Sequence, residues 1–239
     1  MIDAAFQKLR ARDDVTAGEE AVLRAAISCI VHVGKDETFV KANVPLNNSN
    51  ILVEGLACRY RDMANGERQV TEVHVPGDFV DLHSFPLKRL DHNIMALVPS
   101  RIAIVPHDRL REITETEPHL TRLLWLATAM DAAIHREWMV SIGRRSALAR
   151  IAHMLCELYE RMRIVRLTDG LSYRLPLTQV DLAECLGLTP IHVNRTLKEL
   201  RMRKLVTFRS KLVTITDLPA LQAVAEFDAN YLFLDRHRR

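Results

Sequence analysis

Apolar and polar positions follow different rhythms in successive parts of this chain. Residues 3–30 show the three-and-four spacing of amphipathic helices, most clearly from Ala17 to Ile30. From Val31 to about Val105 the spacing changes to short runs rich in β-branched residues, such as ILVEGLACRY and RQVTEVHV, separated by turn signals such as Asn65-Gly66 and Pro76-Gly77. These strands predict a small antiparallel barrel or sandwich, closed over a core of Val, Ile and Leu.

A long helical pattern follows the strands. From Pro118 to about Ser141 the segment PHLTRLLWLATAMDAAIHREWMVS has no glycine, and no proline after its first residue. A helix of about 24 residues is about 36 Å long. Because a small barrel alone could not cover that length, we expect a twin helix from a second subunit to do so; packing within the chain is the alternative. Gly143 then interrupts the pattern and is predicted to act as a hinge. The apolar stripe consists of Leu120, Leu123, Leu124, Ala127, Met130, Ile134 and Trp138.

Two helices joined by a tight turn are predicted after a further helix, RRSALARIAHMLCELYERMR, and a short connection or hairpin, VRLTDGLSYRLP. Thr178 can cap the segment TQVDLAECLG, with Asp181 three residues later to complete a capping box. Gly187 can adopt the left-handed conformation that ends this helix, and Thr189 can cap the next one with Pro190 at its first position. This is the spacing of a helix–turn–helix, whose second helix places its N-terminal polar residues in a major groove.

A basic hairpin is predicted directly after these helices. The segment KLVTFRSKLVTIT indicates two short strands joined at Arg209-Ser210-Lys211, followed by a closing helix from Asp217 to Phe227. Residues 143–239 carry 17 Lys and Arg against 10 Asp and Glu, whereas residues 1–142 carry 16 against 20. Clustered positive charge neutralises DNA phosphates, although it is also found on ordinary solvated helix faces. The motif and the charge together indicate a winged helix–turn–helix.

The order of barrel, long helix, hinge and winged helix–turn–helix resembles the cyclic-AMP receptor protein and fumarate–nitrate regulator superfamily of bacterial transcription factors. VPGDFVDL is similar to its Gly-Asp-Phe barrel signature, and LTQVDLAECLGLTPIHVNRTLKELR is similar to its DNA-binding motif. The resemblance implies an α+β fold class. We expect an N-terminal antiparallel β-barrel, a cyclic-nucleotide-binding-like jelly roll, over residues 1–115. A long dimerisation helix and hinge over 116–142 and a C-terminal winged helix–turn–helix DNA-binding domain over 143–239 would follow.

The resemblance also implies DNA contacts. The counterpart of Arg195 in that superfamily reads a guanine, which a guanidinium does through a bidentate contact to O6 and N7. Ile191 stands where many members have a glutamate that accepts from a base, so the familiar half-site is not carried over whole. The predicted DNA-binding residues are Thr178, Gln179, Thr189, Pro190, Ile191, His192, Asn194, Arg195, Lys198, Arg209 and Lys211.

The candidate effector pocket departs from the pattern of the superfamily's cyclic-nucleotide binders. Their Gly-Glu pair corresponds to Asp81 and Leu82 here, and their Arg-Ser pair roughly to His92 and Asn93. Since Asp81 would repel a phosphate and no arginine remains beside it, we expect no cyclic AMP binding. His83 completes this pocket, because it stands where the superfamily's carbon monoxide sensor has a haem-ligating histidine; that sensor's nearby cysteine ligand corresponds to Asp81. The N-terminal cysteine cluster of the iron–sulfur oxygen sensors is absent from the sequence.

Three alternative interpretations of the sequence are possible in principle, and each would need its own chemistry. A haem- or metal-dependent sensor of the same fold would use His83, or a site formed by His74, His83, His92 and His107, although no local ligand pattern supports the latter. An enzyme with a DNA-binding appendix would need catalytic motifs, and the sequence has no HExxH, Walker loop or GxSxG. A non-specific architectural protein would bind any duplex equally.

We therefore predict a cytoplasmic, homodimeric, sequence-specific transcription factor that recognises a pseudo-palindromic operator. It is expected to have no catalytic residues, no metal and no cofactor, with haem at His83 as the minority alternative. Its expected partners are double-stranded DNA, a second copy of the chain and RNA polymerase, and no membrane. Whether a small-molecule effector gates the barrel, or the protein binds DNA constitutively, stays open.

Overall fold

The computed structural model describes residues 2–238 and shows the α+β composition that the sequence predicts. Its helices are α1 (Asp3–Arg10), α2 (Ala17–Ala25), α3 (Ser84–Leu87), α4 (His107–Thr116), α5 (Pro118–Arg144), α6 (Ala147–Ile164), α7 (Gln179–Leu186), α8 (Pro190–Met202) and α9 (Leu218–Ala225). Its strands are β1 (Cys29–Val33), β2 (Thr38–Val40), β3 (Asn48–Glu54), β4 (Ala57–Asp62), β5 (Arg68–His74), β6 (Asn93–Ala96), β7 (Ser100–Pro106), β8 (Thr168–Asp169), β9 (Ser172–Arg174), β10 (Val206–Arg209) and β11 (Leu212–Ile215). No helix within residues 2–238 has the length and hydropathy that crossing a membrane requires.

The described chain divides into two compact units. The first contains the residues up to Tyr60, Val73–Ala133 and the tail from Leu232. The second contains Arg61–Glu72 and Ile134–Tyr231. Both strand β5 and the long helix α5 therefore contribute residues to each unit, whereas the sequence placed the limits of the long helix and its hinge at 116–142.

Two antiparallel sheets form the predicted sandwich. One has the strand order β1-β7-β3 and the other β2-β6-β4-β5. Leu52, Ile94 and Ile102 are fully buried members of the apolar cluster of this part of the chain. Gly77, in the PGDF segment, has a φ of +91°, and a Cβ there would lie 2.6 Å from the carbonyl carbon of Ala4. A side chain at this turn would therefore collide with α1, which explains the glycine physically.

The predicted dimerisation stripe on α5 is mostly covered within the chain. Leu120, Leu123 and Leu124 join a core cluster that includes Phe6 of α1 and Leu23 of α2, with Ala127 packed against it. Further along α5, Ile134 and Trp138 are buried as well, and Met130 is half-buried. The expectation that a second subunit covers this stripe is wrong, because α1 and α2 cover its first part and Trp138 packs within the chain beside Glu157.

The same helix continues past the predicted hinge. Gly143 lies inside α5, which ends at Arg144, and Ser146 then caps α6 by accepting from Ala149 N at 3.2 Å. A glycine in a helix interior lowers stability by about 1 kcal/mol relative to alanine, which is too little to end a long helix by itself. The chain direction changes at the Ser146 cap rather than at Gly143.

A buried ionic network organises the second unit. Glu157 of α6 is fully buried and accepts hydrogen bonds from Trp138 Nε1 at 3.1 Å, Arg161 Nη1 at 2.9 Å and Tyr231 Oη at 2.8 Å. Arg161 also lies 3.6 Å from the carboxylate of Glu72. Because a buried charge is tolerated only when it is paired, this network fixes the end of α5 and the segment around Glu72 against α6.

Candidate nucleic-acid interface

Two capped helices meet at Gly187, as the sequence predicts. Thr178 caps α7 in a capping box with Asp181, whose backbone N–H bonds Thr178 Oγ1 at 3.2 Å while its carboxylate accepts from Thr178 N at 2.6 Å. Gly187 ends α7 with a φ of 61°, in the left-handed region. Thr189 then caps α8 by accepting from His192 N at 3.2 Å, and Pro190 is its first residue. The turn thereby fixes where α8 begins.

Arg150 of α6 holds this turn, although no local sequence pattern indicates it. Its guanidinium donates to the carbonyl of Leu186, the last residue of α7, at 2.5 Å and to that of Ile142 at 2.8 Å. The last carbonyls of a helix have no partner within the helix. Arg150 satisfies such carbonyls at the ends of both α5 and α7, and so ties the helix–turn–helix to the helices beneath it.

Helix α8 has a buried side and a polar side. Val193 and Leu200 are fully buried, and Thr196 is 4% exposed between them. The opposite side carries Asn194, Arg195 and Lys198, all exposed, and among residues 2–238 no hydrogen bond or ion pair engages these three side chains. Unpaired donors on the first turns of an exposed helix are available to base edges and phosphates.

The other predicted contact residues also lie at the surface. Thr178 and Gln179 at the start of α7 are exposed, as are Thr189, Pro190 and Ile191 at the start of α8. His192 differs from expectation, because it is half-buried rather than pointing fully outward. Of the predicted contact residues outside the wing, all but His192 are therefore exposed.

The predicted wing is present as the β10–β11 hairpin. Its strands pair from Val206 with Ile215 to Arg209 with Leu212, and β11 pairs on its other side with β9. The two turn residues, Ser210 and Lys211, both have positive φ, at 51° and 63°. A two-residue turn with both residues in that region matches the right-handed twist of a hairpin. It leaves the side chains of Arg209 and Lys211 exposed at the tip.

A second hairpin segment borders the start of α8. Gln69 Nε2, from Arg61–Glu72, donates to the carbonyl of Glu184 in α7 at 3.0 Å. A groove of about 510 Å³ lies beside this contact, with Thr189, Pro190 and His192 on its wall. Ile191 is not part of that wall, so the outer face of α8 is left open.

The candidate effector residues are already engaged within the first unit. Asp81 is fully buried and accepts from Asn50 N at 2.6 Å and from Asn50 Nδ2 at 2.5 Å. Burial raises the pKa of its carboxyl to about 7, against the opposing effect of those hydrogen bonds. Leu82 is buried, and the Asn93 side chain accepts from Ala42 N at 2.9 Å.

An arginine does reach this region, which corrects the expectation that none remains there. Arg59 of β4 is 2% exposed and donates to the carbonyl of Val80 at 2.6 Å and to Asp131 Oδ2 of α5 at 2.6 Å. Arg59 and Val80 are 21 positions apart, so no short-range sequence pattern predicts their contact. Its donors are nevertheless engaged by groups of the protein.

The histidines of the first unit do not converge on one point. His83 Nδ1 lies 3.9 Å from Asp131 Oδ2, and its ring centroid is 5.4 Å from that of His92. His107 Nε2 instead lies 3.2 Å from both Ser49 Oγ and Ser84 Oγ. Within residues 2–238, the predicted set of His74, His83, His92 and His107 does not gather as ligands around a common centre.

Comparison with known proteins agrees with this architecture. Residues 149–224 match the model of the Crp-like helix-turn-helix domain, and residues 30–117 match that of the cyclic nucleotide-binding domain. The anaerobic regulatory protein of Pasteurella multocida is 25% identical over 189 residues, which are 79% of this chain and 69% of that protein. The transcriptional activator protein FnrL of Cereibacter sphaeroides is 26% identical over 183 residues, which are 75% of this chain and 73% of that protein.

A solved structure shows the same fold. The structure of FixK2 from Bradyrhizobium japonicum superposes with a TM-score of 0.72 at 22% identity, over 84% of this chain and 98% of that one. Both matched domains, the order in which they occur and the open face of α8 lead to one conclusion. The chain belongs to the Crp/Fnr family of DNA-binding transcriptional regulators.

Proposed function

We propose that this regulator binds a pseudo-palindromic operator as a homodimer, with one recognition helix α8 in the major groove of each half-site. The observation that carries this proposal is the unengaged polar face of Asn194, Arg195 and Lys198 on a helix whose start is fixed by the Thr189 cap. The exposed wing residues Arg209 and Lys211 add phosphate contacts. We assign no catalytic role to the chain, since its exposed polar groups fit DNA contacts and the sequence contains no HExxH, Walker loop or GxSxG.

The dimer seam that we propose lies on the open face of α5, opposite the buried stripe. Trp125 is 74% exposed and Met139 is 70% exposed, although both are large apolar residues. Exposed residues repeat along this face at alternating spacings of three and four, as in a coiled-coil seam. They are Arg122, Trp125, Ala129, Ala132, Arg136, Met139 and Gly143. A second copy of α5 is the occupant of matching length, and the small side chains of Ala129 and Ala132 allow it to approach closely.

The barrel, on this proposal, neither binds cyclic AMP nor holds haem. A buried cyclic phosphate needs a cation or several N–H donors, since an unpaired anion is costly to bury. The donors of Arg59 are used by Val80 and Asp131, and Lys88 extends over the ring of Phe85, with its ammonium 4.8 Å from the ring centroid. His83 Nδ1 lies 3.9 Å from Asp131 Oδ2, too far for a hydrogen bond, and Asp81, at the position of the carbon monoxide sensor's cysteine ligand, is already hydrogen-bonded to Asn50.

The site of action that follows is the cytoplasm, where the bacterial chromosome lies, and the proposed protein partner at promoters is RNA polymerase. Support for both comes from the family to which the chain belongs and from the DNA-binding face. Promoter-dependent transcription with purified polymerase, with and without the regulator, tests the second point directly.

Selection of bound sites from random duplex DNA should yield a pseudo-palindrome whose half-site centres are about 10 bp apart, one helical turn. Arg195→Ala should weaken binding by about 1–3 kcal/mol and relax the preference at one base pair in each half-site, because a bidentate contact to guanine is lost. Affinities measured on the selected site and on single-base variants give both quantities.

Two further variants serve as controls for this selection. Lys211→Ala should weaken binding to all duplexes alike and flatten the salt dependence, since it removes a phosphate contact. Arg203→Ala should change little, because Arg203 is already paired with Glu199 at 2.5 Å at the far end of α8. Recovery of single asymmetric motifs, or of no motif, would contradict the proposed mode of binding.

Ala129→Glu should convert the dimer to monomers in sedimentation velocity and greatly weaken operator binding. Two carboxylates would face each other across the proposed seam, and each would lose solvent there. Ala223→Glu is the matched control, because Ala223 is exposed on α9 and away from the seam, so the dimer should persist. Ile134 does not test the seam, since it is 8% exposed and Ile134→Asp would act on folding. An Ala129→Glu protein that sediments as a normal dimer places the interface elsewhere.

Calorimetric titration of the purified dimer with cyclic AMP and with cyclic GMP should give no binding heat, and the absorbance spectrum should contain no Soret band. The physical reason is that the polar groups around Asp81 are already hydrogen-bonded within the protein. Micromolar binding of either nucleotide, or a Soret band that His83→Ala abolishes, would refute this part of the proposal.

A further inference from the structure

The most exposed large apolar side chain among residues 2–238 lies at the start of the recognition helix. Ile191 is 83% exposed and is the second residue of α8. The packing of α8 does not require an apolar side chain at position 191, because the core side of the helix is formed by Val193, Thr196 and Leu200. The first turn of a helix favours acidic and small polar residues, and a β-branched residue there gains nothing from the helix dipole.

The neighbours of Ile191 argue against a protein-binding patch at this point. Thr189 and Pro190 precede it, and Asn194 and Arg195 lie beside it on the next turn, all exposed. A protein-docking surface requires a contiguous apolar area, whereas Ile191 is a single apolar side chain in a polar surround. An isolated apolar group among base-reading side chains is better matched to an isolated apolar group on DNA.

The major groove offers one such group. Guanine, cytosine and adenine present donors and acceptors there, and thymine adds its C5-methyl, which is recognised by apolar contact. Ile191 and Arg195 are four residues apart, so they share a face of α8 and lie about 6 Å apart along its axis. Base pairs follow one another at about 3.4 Å along the duplex. A thymine within two base pairs of the Arg195 guanine is therefore within reach of Ile191.

We propose that Ile191 is a specificity-determining residue that reads the C5-methyl group of a thymine within two base pairs of the guanine contacted by Arg195. The assignment rests on the proposed binding mode of α8 in the major groove. The thymine methyl group is recognised by apolar contact, without a hydrogen bond. This contact explains why a large apolar side chain is exposed at this position.

The test uses the selected operator with each thymine replaced in turn by deoxyuridine, which removes only the methyl group. One position in each half-site should lose affinity by about four-fold, the value of one buried methyl group. The Ile191→Ala protein should bind the thymine and deoxyuridine operators equally. Met202→Ala is the matched control, since Met202 is 71% exposed at the other end of α8 and its loss should leave the discrimination intact.

A second variant tests the same contact by exchange of preference. Ile191→Glu should move the preference at that position from thymine to cytosine, because a carboxylate accepts from the cytosine N4 amino group. If no thymine is sensitive to loss of its methyl, or if Ile191→Ala keeps the sensitivity, the inference is overturned while sequence-specific binding stands. If the protein binds all duplexes equally, both this inference and the proposed binding mode of α8 are wrong.

Discussion

Three residues between two helices set the geometry on which DNA recognition depends. Helix α7 has to stop at Gly187 and α8 has to begin at Thr189, which leaves one residue to change the chain direction. Gly187 achieves the stop with a left-handed backbone, and Leu188 N closes the turn on the carbonyl of Ala183 at 3.1 Å. Arg150 then binds the carbonyl of Leu186. Because the end of α7 and the start of α8 are both fixed, the first turn of α8 projects its polar side chains in a defined direction.

The parts of this arrangement that depend on local sequence could be predicted. Caps such as Thr178 and Thr189, the helix end at Gly187 and the hairpin turn at Ser210-Lys211 each depend on about four consecutive residues. The local sequence is therefore enough to predict them. The recognition helix and its exposed set follow from the same short-range rules. Only the half-burial of His192 departs from them.

The remaining features depend on residues that are distant in sequence. Arg59 meets Asp131 across 72 positions, and Arg150 meets Leu186 across 36, so neither contact has a local pattern. The apolar stripe of α5 was identified correctly, but its partner was not, because its cover includes Phe6 and Leu23 at the far end of the chain. Helical periodicity shows which face is apolar, and does not show what covers it.

The first unit matches the cyclic nucleotide-binding domain, and two of its buried charged residues are hydrogen-bonded within the protein. Arg59 joins the loop at Val80 to Asp131 of α5, and Asp81 is held by Asn50 in the same region. Breaking one partner of a buried ion pair leaves an uncompensated charge, so the loop and this part of α5 are energetically linked. The family fold is thus retained, and the candidate pocket residues Asp81 and Asn93 are engaged by other groups of the chain.

The central claim is that Arg195 reads a guanine in the major groove, and methylation interference tests it most directly. Dimethyl sulfate methylates guanine N7, the acceptor that a bidentate arginine needs. We predict that methylation of one guanine in each half-site prevents binding by the wild-type dimer and has no effect on the residual binding of Arg195→Ala. Undiminished wild-type binding to operators methylated at every guanine would contradict the account.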